Sequence, residues 1–132
     1  MTRNSRVFIP QEPTRVRKER DSVSGDMVPV RDGGGNVVFE STMNFAEAAR
    51  FGETLVCLPP GRVSLSAQPT VDRIKECMGD FTDNDYLIAV GNPSLIAVAA
   101  AVAAQANNGR LKVLQYDNRV EAYITITIDI NK

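Results

Sequence analysis

One stretch limits the folds open to this chain more than any other: Asp85–Gln105, DYLIAVGNPSLIAVAAAVAAQ, where an apolar strand runs into an apolar helix through one sharp turn. Tyr86-Leu87-Ile88-Ala89-Val90 has no helical period and reads as a strand buried on both faces. Gly91-Asn92-Pro93-Ser94 ends it. Asn92 suits the N-cap, where its side-chain oxygen accepts an orphan backbone N–H, and Pro93 suits the first helical position, where a missing donor costs nothing. Every residue from Leu95 to Ala104 is apolar, so the helix has no water face and needs cover on more than one side, from a sheet and a second helix or from another copy. Asn107-Asn108-Gly109 stops it with residues that tolerate the left-handed conformation. It is not a membrane span, because the apolar segment is interrupted and the helical part falls short of the ~20 residues a bilayer requires.

A chain of 132 residues suffices for one domain with a real core and no metal or disulfide support. Its net charge of −1 conceals a basic leader, in which Arg3, Arg6, Arg15, Arg17, Lys18 and Arg20 face only Glu12 and Glu19, and an acidic body. Histidine is absent, which removes the usual neutral-pH base and the commonest metal ligand. Cys57 and Cys77 sit in apolar surroundings without a ligand or redox spacing, and read as buried, reduced thiols. Val7-Phe8-Ile9 is too short for a secretory signal and Pro10 ends it, so the cytoplasm is the expected compartment.

Residues 1–36 contain one apolar triplet, then Pro10, Pro13, the charged run Arg15–Asp21 and Gly33-Gly34-Gly35. The composition predicts a largely flexible basic arm and glycine-rich linker, with Val7-Phe8-Ile9 adding at most an edge strand. The six basic residues suit phosphates or an acidic partner; the interleaved acids and the absence of an aromatic favour a solvated or partner-binding arm, with nucleic acid as the alternative. The triple glycine lacks phosphate-loop spacing.

Residues 37–132 are expected to form a single mixed α/β domain. Val37-Val38-Phe39 suggests a brief strand, and Asn44 a cap for a short helix at Phe45–Phe51. Residues 53–66 read as a hairpin turning at Pro59-Pro60-Gly61. Val71, Ile74 and Met78 mark an amphipathic helix after Thr70. The carboxylates of Asp80–Asp85 lack the spacing and glycine of a calcium loop, and they precede a strand rather than follow one, so no metal site is expected. Strands follow at Leu111–Tyr116 and Ala122–Ile130. In the second, Ile124, Ile126, Ile128 and Ile130 face one way and Tyr123, Thr125, Thr127 and Asp129 the other.

The order β-β-α-β-α-β-β predicts an α/β (or α+β) two-layer sandwich: a mixed sheet with its helices mainly on one face. The other face, showing Tyr123, Thr125 and Thr127, is then an expected interface between copies. Gly91, Asn92 and Ser94 mark the one place that favours a small ligand, where a helix amino end at a strand's carboxyl end attracts a phosphate, carboxylate or nucleotide; Pro93 removes a donor and no basic residue is near in sequence, so a structural turn is the preferred reading and an anion site the alternative. No catalytic residue and no cofactor is indicated, which favours a non-enzymatic binding protein.

VFIPQEPTR at 7–15, LPPGRVSLS at 58–66, DYLIAVGNPSLI at 85–96 and NNGRLKVLQYDNRVEAY at 107–123 together resemble a type of short, uncharacterised protein encoded by tailed bacteriophages. That type often has Gly-Asp-Pro where this chain has Gly91-Asn92-Pro93, so no carboxylate is required there. The resemblance implies a viral accessory protein acting on a host or phage macromolecule in the host cytoplasm, or a component of the virion, and carries no defined activity.

Overall fold

Strand β1, Arg6–Gln11, lies at the heart of the sheet, although its sequence suggests an edge. The computed structural model describes residues 4–59 and 68–132. It divides into two units, Met1–Glu12 with Phe45–Lys132, and Pro13–Asn44.

The larger unit is a mixed α/β structure. With β6 (Glu53–Leu58), β7 (Tyr86–Ile88), β8 (Arg110–Asp117) and β9 (Ala122–Asp129), its sheet has five strands in the order β6-β1-β7-β8-β9. The first four run parallel and β9 pairs antiparallel with β8, from Arg110 opposite Asp129 to Asp117 opposite Ala122. Val7, Phe8 and Ile9 are at most 1% exposed, as a strand covered on both faces must be. Pro10 is tolerated because β7 pairs only with Val7 and Phe8, so the missing N–H falls beyond that ladder.

Helix α1 (Gln68–Met78) connects β6 to β7 past β1, and α2 (Pro93–Ala106) connects β7 to β8. Both connections advance in the same direction, so right-handed crossovers put both helices on one face, as the sequence predicts. Ile74 and Met78 of α1 and Leu95, Ala99, Val102 and Ala103 of α2 share a core with Phe8, Phe81, Leu87 and Leu111. The β1-to-β6 connection runs the other way and delivers residues 45–51 to the opposite face. There Phe45, Ala48 and Phe51 pack with Val7, Ile9, Tyr86, Ile88, Leu114 and Tyr123. The expected open face is therefore covered over its apolar half, and the expected short helix contracts to a 3₁₀ turn at Ala48–Arg50. Gly52 permits this path, since a Cβ there would lie 2.5 Å from the Ser5 carbonyl oxygen.

Two further expectations change. β6 pairs with β1, and the expected second arm of its hairpin at 62–66 lies outside the described residues. Cys57 and Cys77 form a disulfide instead of two free thiols; β6 and α1 bring their Cα atoms to 5.5 Å, inside the range that such a bond requires.

The smaller unit is three hairpin arms meeting at one junction. β2 (Thr14–Val16) pairs with β5 (Phe39–Ser41), β3 (Lys18–Arg20) with β4 (Met27–Pro29), and Arg31 bridges Val37. At the junction the Arg17 N–H donates to Val38, Val38 to Val30 and Val30 to Arg17, in a cycle of 2.8–2.9 Å bonds. Asp21 and Asp32 accept backbone N–H groups in the arms' turns, and Gly25 and Gly35 take positive φ there. The glycine-rich stretch is thus built into turns, and the chain divides at 12/13 and 44/45 instead of at 36/37. No residue of Pro13–Asn44 is buried.

The disulfide spans 20 residues, so reducing it, or exchanging Cys57→Ser with Cys77→Ser, is expected to lower the unfolding free energy by about 3 kcal/mol. Urea titrations with and without reductant read this directly; coincident midpoints would show that the bond adds nothing.

Candidate functional site

Strand order reverses between β1 and β7, and open α/β sheets bind ligands at the carboxyl ends flanking such a point. Gly91, Asn92 and Ser94 stand there together, between β7 and α2. Gly91 has φ +94°, a conformation that side chains resist, and faces the Gln11 carbonyl of β1. One donor of the turn, the Ser94 N–H, is committed internally. The Asn92 side chain accepts the Ser94 N–H at 2.9 Å, the Asn92 carbonyl accepts the Ile96 N–H at 3.0 Å, and Pro93 has no N–H. The sequence between Lys75 and Arg110 contains no basic residue to hold an anion. Beside the turn, Gln11 Nε2 donates to the Pro59 carbonyl at 2.6 Å and ties the ends of β1 and β6 together.

The six basic leader residues do not form one patch. Arg3 lies outside the described residues. Arg6 turns inward, its guanidinium giving Asp85 a 3.2 Å bond from Nε and a 2.7 Å bond from Nη2, and reaching Asp80 at 3.0 Å. Asp85 is fully buried and also accepts the Arg6 backbone N–H and both the N–H and hydroxyl of Thr82. Burial alone would push its carboxyl up; the Arg6 and Thr82 bonds more than offset this and hold it below the ordinary carboxylate range. Arg15 pairs with Glu40 at 2.9 Å, and Arg20 donates to the Gly25 carbonyl. Arg17 and Lys18 are exposed on the hairpin unit.

Sequence reasoning does not find the group around Asp83. Its carboxylate accepts from Arg110 Nε at 3.1 Å and from Asn107 Nδ2 at 2.8 Å, and these bonds lower its pKa, Arg110 contributing most. Asn107, read from sequence as a helix stop, is nearly buried and also donates to the Arg110 carbonyl. A cavity of about 280 Å³ opens beside them over Phe81, Leu111 and Ile128. The acidic run 80–85 thus meets arginines, Asp80 and Asp85 with Arg6 and Asp83 with Arg110.

On the second sheet face, Thr125 and Thr127 are exposed but Tyr123 is 9% exposed beneath the 45–51 segment. Tyr116 meets Tyr123 edge-on at 5.3 Å, and Lys112 covers the Tyr86 ring at 4.1 Å. The Tyr123 hydroxyl is buried without a hydrogen-bond partner among the described residues. Burial pushes its pKa up, with Tyr116 adding to the shift. A cavity of about 290 Å³ lies alongside, lined by Glu47, Arg50, Phe51 and Ala122. Of the expected interface residues, Tyr123 is therefore core.

Asp85→Asn removes the buried charge partner of Arg6, leaving only the exposed Asp80, and is expected to cost about 3 kcal/mol. Because the folded-state pKa of Asp85 lies below the unfolded one, its stabilisation is complete above the unfolded value near 4 and is lost as pH falls through the folded value. Urea midpoints should fall steeply below about pH 4 in the parent and less steeply in Asp85→Asn; parallel profiles would refute this role. Tyr123→Phe removes a hydroxyl with no partner and is expected to leave stability unchanged or raise it by about 1 kcal/mol, while Tyr123→Ala costs about 3–5 kcal/mol. A clear loss on Tyr123→Phe in the same titration would mean that the hydroxyl is bonded after all.

Comparison with curated proteins and with solved structures gives no match. A family model, that of the phage Pam3 gp32-like protein, matches residues 5–130.

Proposed function

The chain belongs to this family of phage proteins, and from that premise we propose that it is a non-enzymatic accessory protein that binds a host or phage macromolecule and associates with copies of itself. The observation that carries the proposal is the unit Pro13–Asn44, inserted between adjacent parallel strands. It buries none of its own residues and leaves Met27 and Phe39 each 53% exposed. Apolar side chains displayed on a unit without a core are poorly explained by the unit's own stability and well explained by a partner that covers them. A protein partner is favoured over nucleic acid, because the unit's five basic and five acidic residues cancel. The pairing of carboxylates with arginines favours binding over chemistry. Among the described residues no helix is long and apolar enough to cross a membrane.

Removing residues 1–20 would delete β1, so the test uses surface substitutions. The chain and its Met27→Glu/Phe39→Glu variant are immobilised and exposed to host extract, infected-cell extract and purified phage particles. A partner held by the parent and lost by an equally stable variant is the expected result; identical retention would overturn the proposal. In parallel, labelled single- and double-stranded DNA and RNA are titrated at rising salt. Tight binding that weakens steeply with salt and vanishes in Arg17→Gln/Lys18→Gln/Arg20→Gln would replace the protein-partner reading with a nucleic-acid one.

A further inference from the structure

β9 is an edge strand that lacks the usual protections. Natural edges are kept apart by charged side chains, proline, bulges or brevity. β9 runs eight residues in unbroken register with β8, and from Ala122 to Ile128 it carries no charge, no proline and no glycine. Its helix-side residues Ile124 and Ile126 remain 40% and 36% exposed, because α2 packs over β8 and β1 and leaves the edge uncovered. On the other side, Thr125 and Thr127 are exposed.

We propose that the outer edge of β9 is the self-association surface, pairing antiparallel with β9 of a second copy about a two-fold axis at Ile126. This rests on the reading of the chain as self-associating and names the surface responsible. A two-fold perpendicular to the sheet keeps like faces together, so each residue must oppose one of the same face. With the axis at Ile126, Ile124 opposes Ile128 and Thr125 opposes Thr127, an apolar row on the helix side and a hydroxyl row on the other. Moving the axis to Thr125 would set Glu121 against Asp129, a like-charge pair, whereas the Ile126 register sets Glu121 against Asn131 beside the cationic Lys132. Of these two registers the charges favour the one at Ile126, and in it the two sheets continue into one another. Tyr123 contributes from beneath, as core, and is not itself a contact.

Sedimentation and light scattering of the full chain over a concentration series test the surface, with urea or thermal melts confirming that each variant is folded. The parent is expected to form dimers. Ile126→Lys places two cations at the axis and should weaken dimerisation roughly a hundredfold or more, as should Ile126→Glu. Mixing the two variants should restore a dimer containing one chain of each. Parent dimers that survive Ile126→Lys unchanged, or folded variants that fail to pair on mixing, would overturn the β9 surface while leaving self-association standing. A parent that stays monomeric at the highest soluble concentration would overturn both, without bearing on the capture of a partner by the hairpin unit.

Discussion

The buried ion pair between Arg6 and Asp85 is the constraint on which the sheet depends. It joins residues 79 apart in sequence, at the entry of β1 and one residue before β7. A carboxylate out of water is stable only when its lone pairs are taken up, and Asp85 receives the Arg6 backbone and guanidinium together with both donors of Thr82. The geometry is therefore nearly all-or-none. A one-residue slip of β1 against β7 would strand the carboxylate and also turn Phe8 and Ile9 to the wrong faces. The pair contributes register more than net energy, which is the best attested use of a buried charge.

A central β1 explains the two layers around it. β6 joins on one side and β7 on the other, so the chain must reverse its direction of travel across the sheet. The β1-to-β6 segment then covers one face and both helices cover the other. The reversal also creates the crevice at Gly91, where α/β folds usually bind ligands. Here the turn closes on itself through Asn92, and the nearest strand end is held by Gln11 and Pro59. The large apolar side chains that this fold leaves exposed lie elsewhere, on its surfaces.

Two such surfaces stand out, and they differ in kind. The hairpin unit holds its shape through a backbone junction and aspartate-capped turns, without hydrophobic burial. β9 belongs to the cooperative core but presents an uncovered edge. Insertion between strands leaves the sheet's own pairing intact, since lengthening a connection costs little. A contact surface of this type can therefore change without altering the core that supports it.

Features governed by neighbours in sequence were legible in the residues themselves. The Asn92 cap and Pro93 start of α2, the Ile74–Met78 face of α1 and the alternation of β9 follow from helix-end donors and from periods of 3.6 and 2, and the single helical face follows from crossover handedness. Whatever depended on distant partners was decided by the tertiary structure. Val7-Phe8-Ile9 reads as an edge because three apolar residues cannot announce two neighbouring strands. Arg6 reads as part of a basic arm because Asp85 is remote. Cys57 and Cys77 read as thiols because only β6 packed beside α1 brings them together, and Tyr123 reads as surface because its cover arrives from residues 45–51. A sequence displays its propensities along the chain, but burial and charge pairing are properties of contacts, and most of the contacts that matter here close loops of 20 to 79 residues.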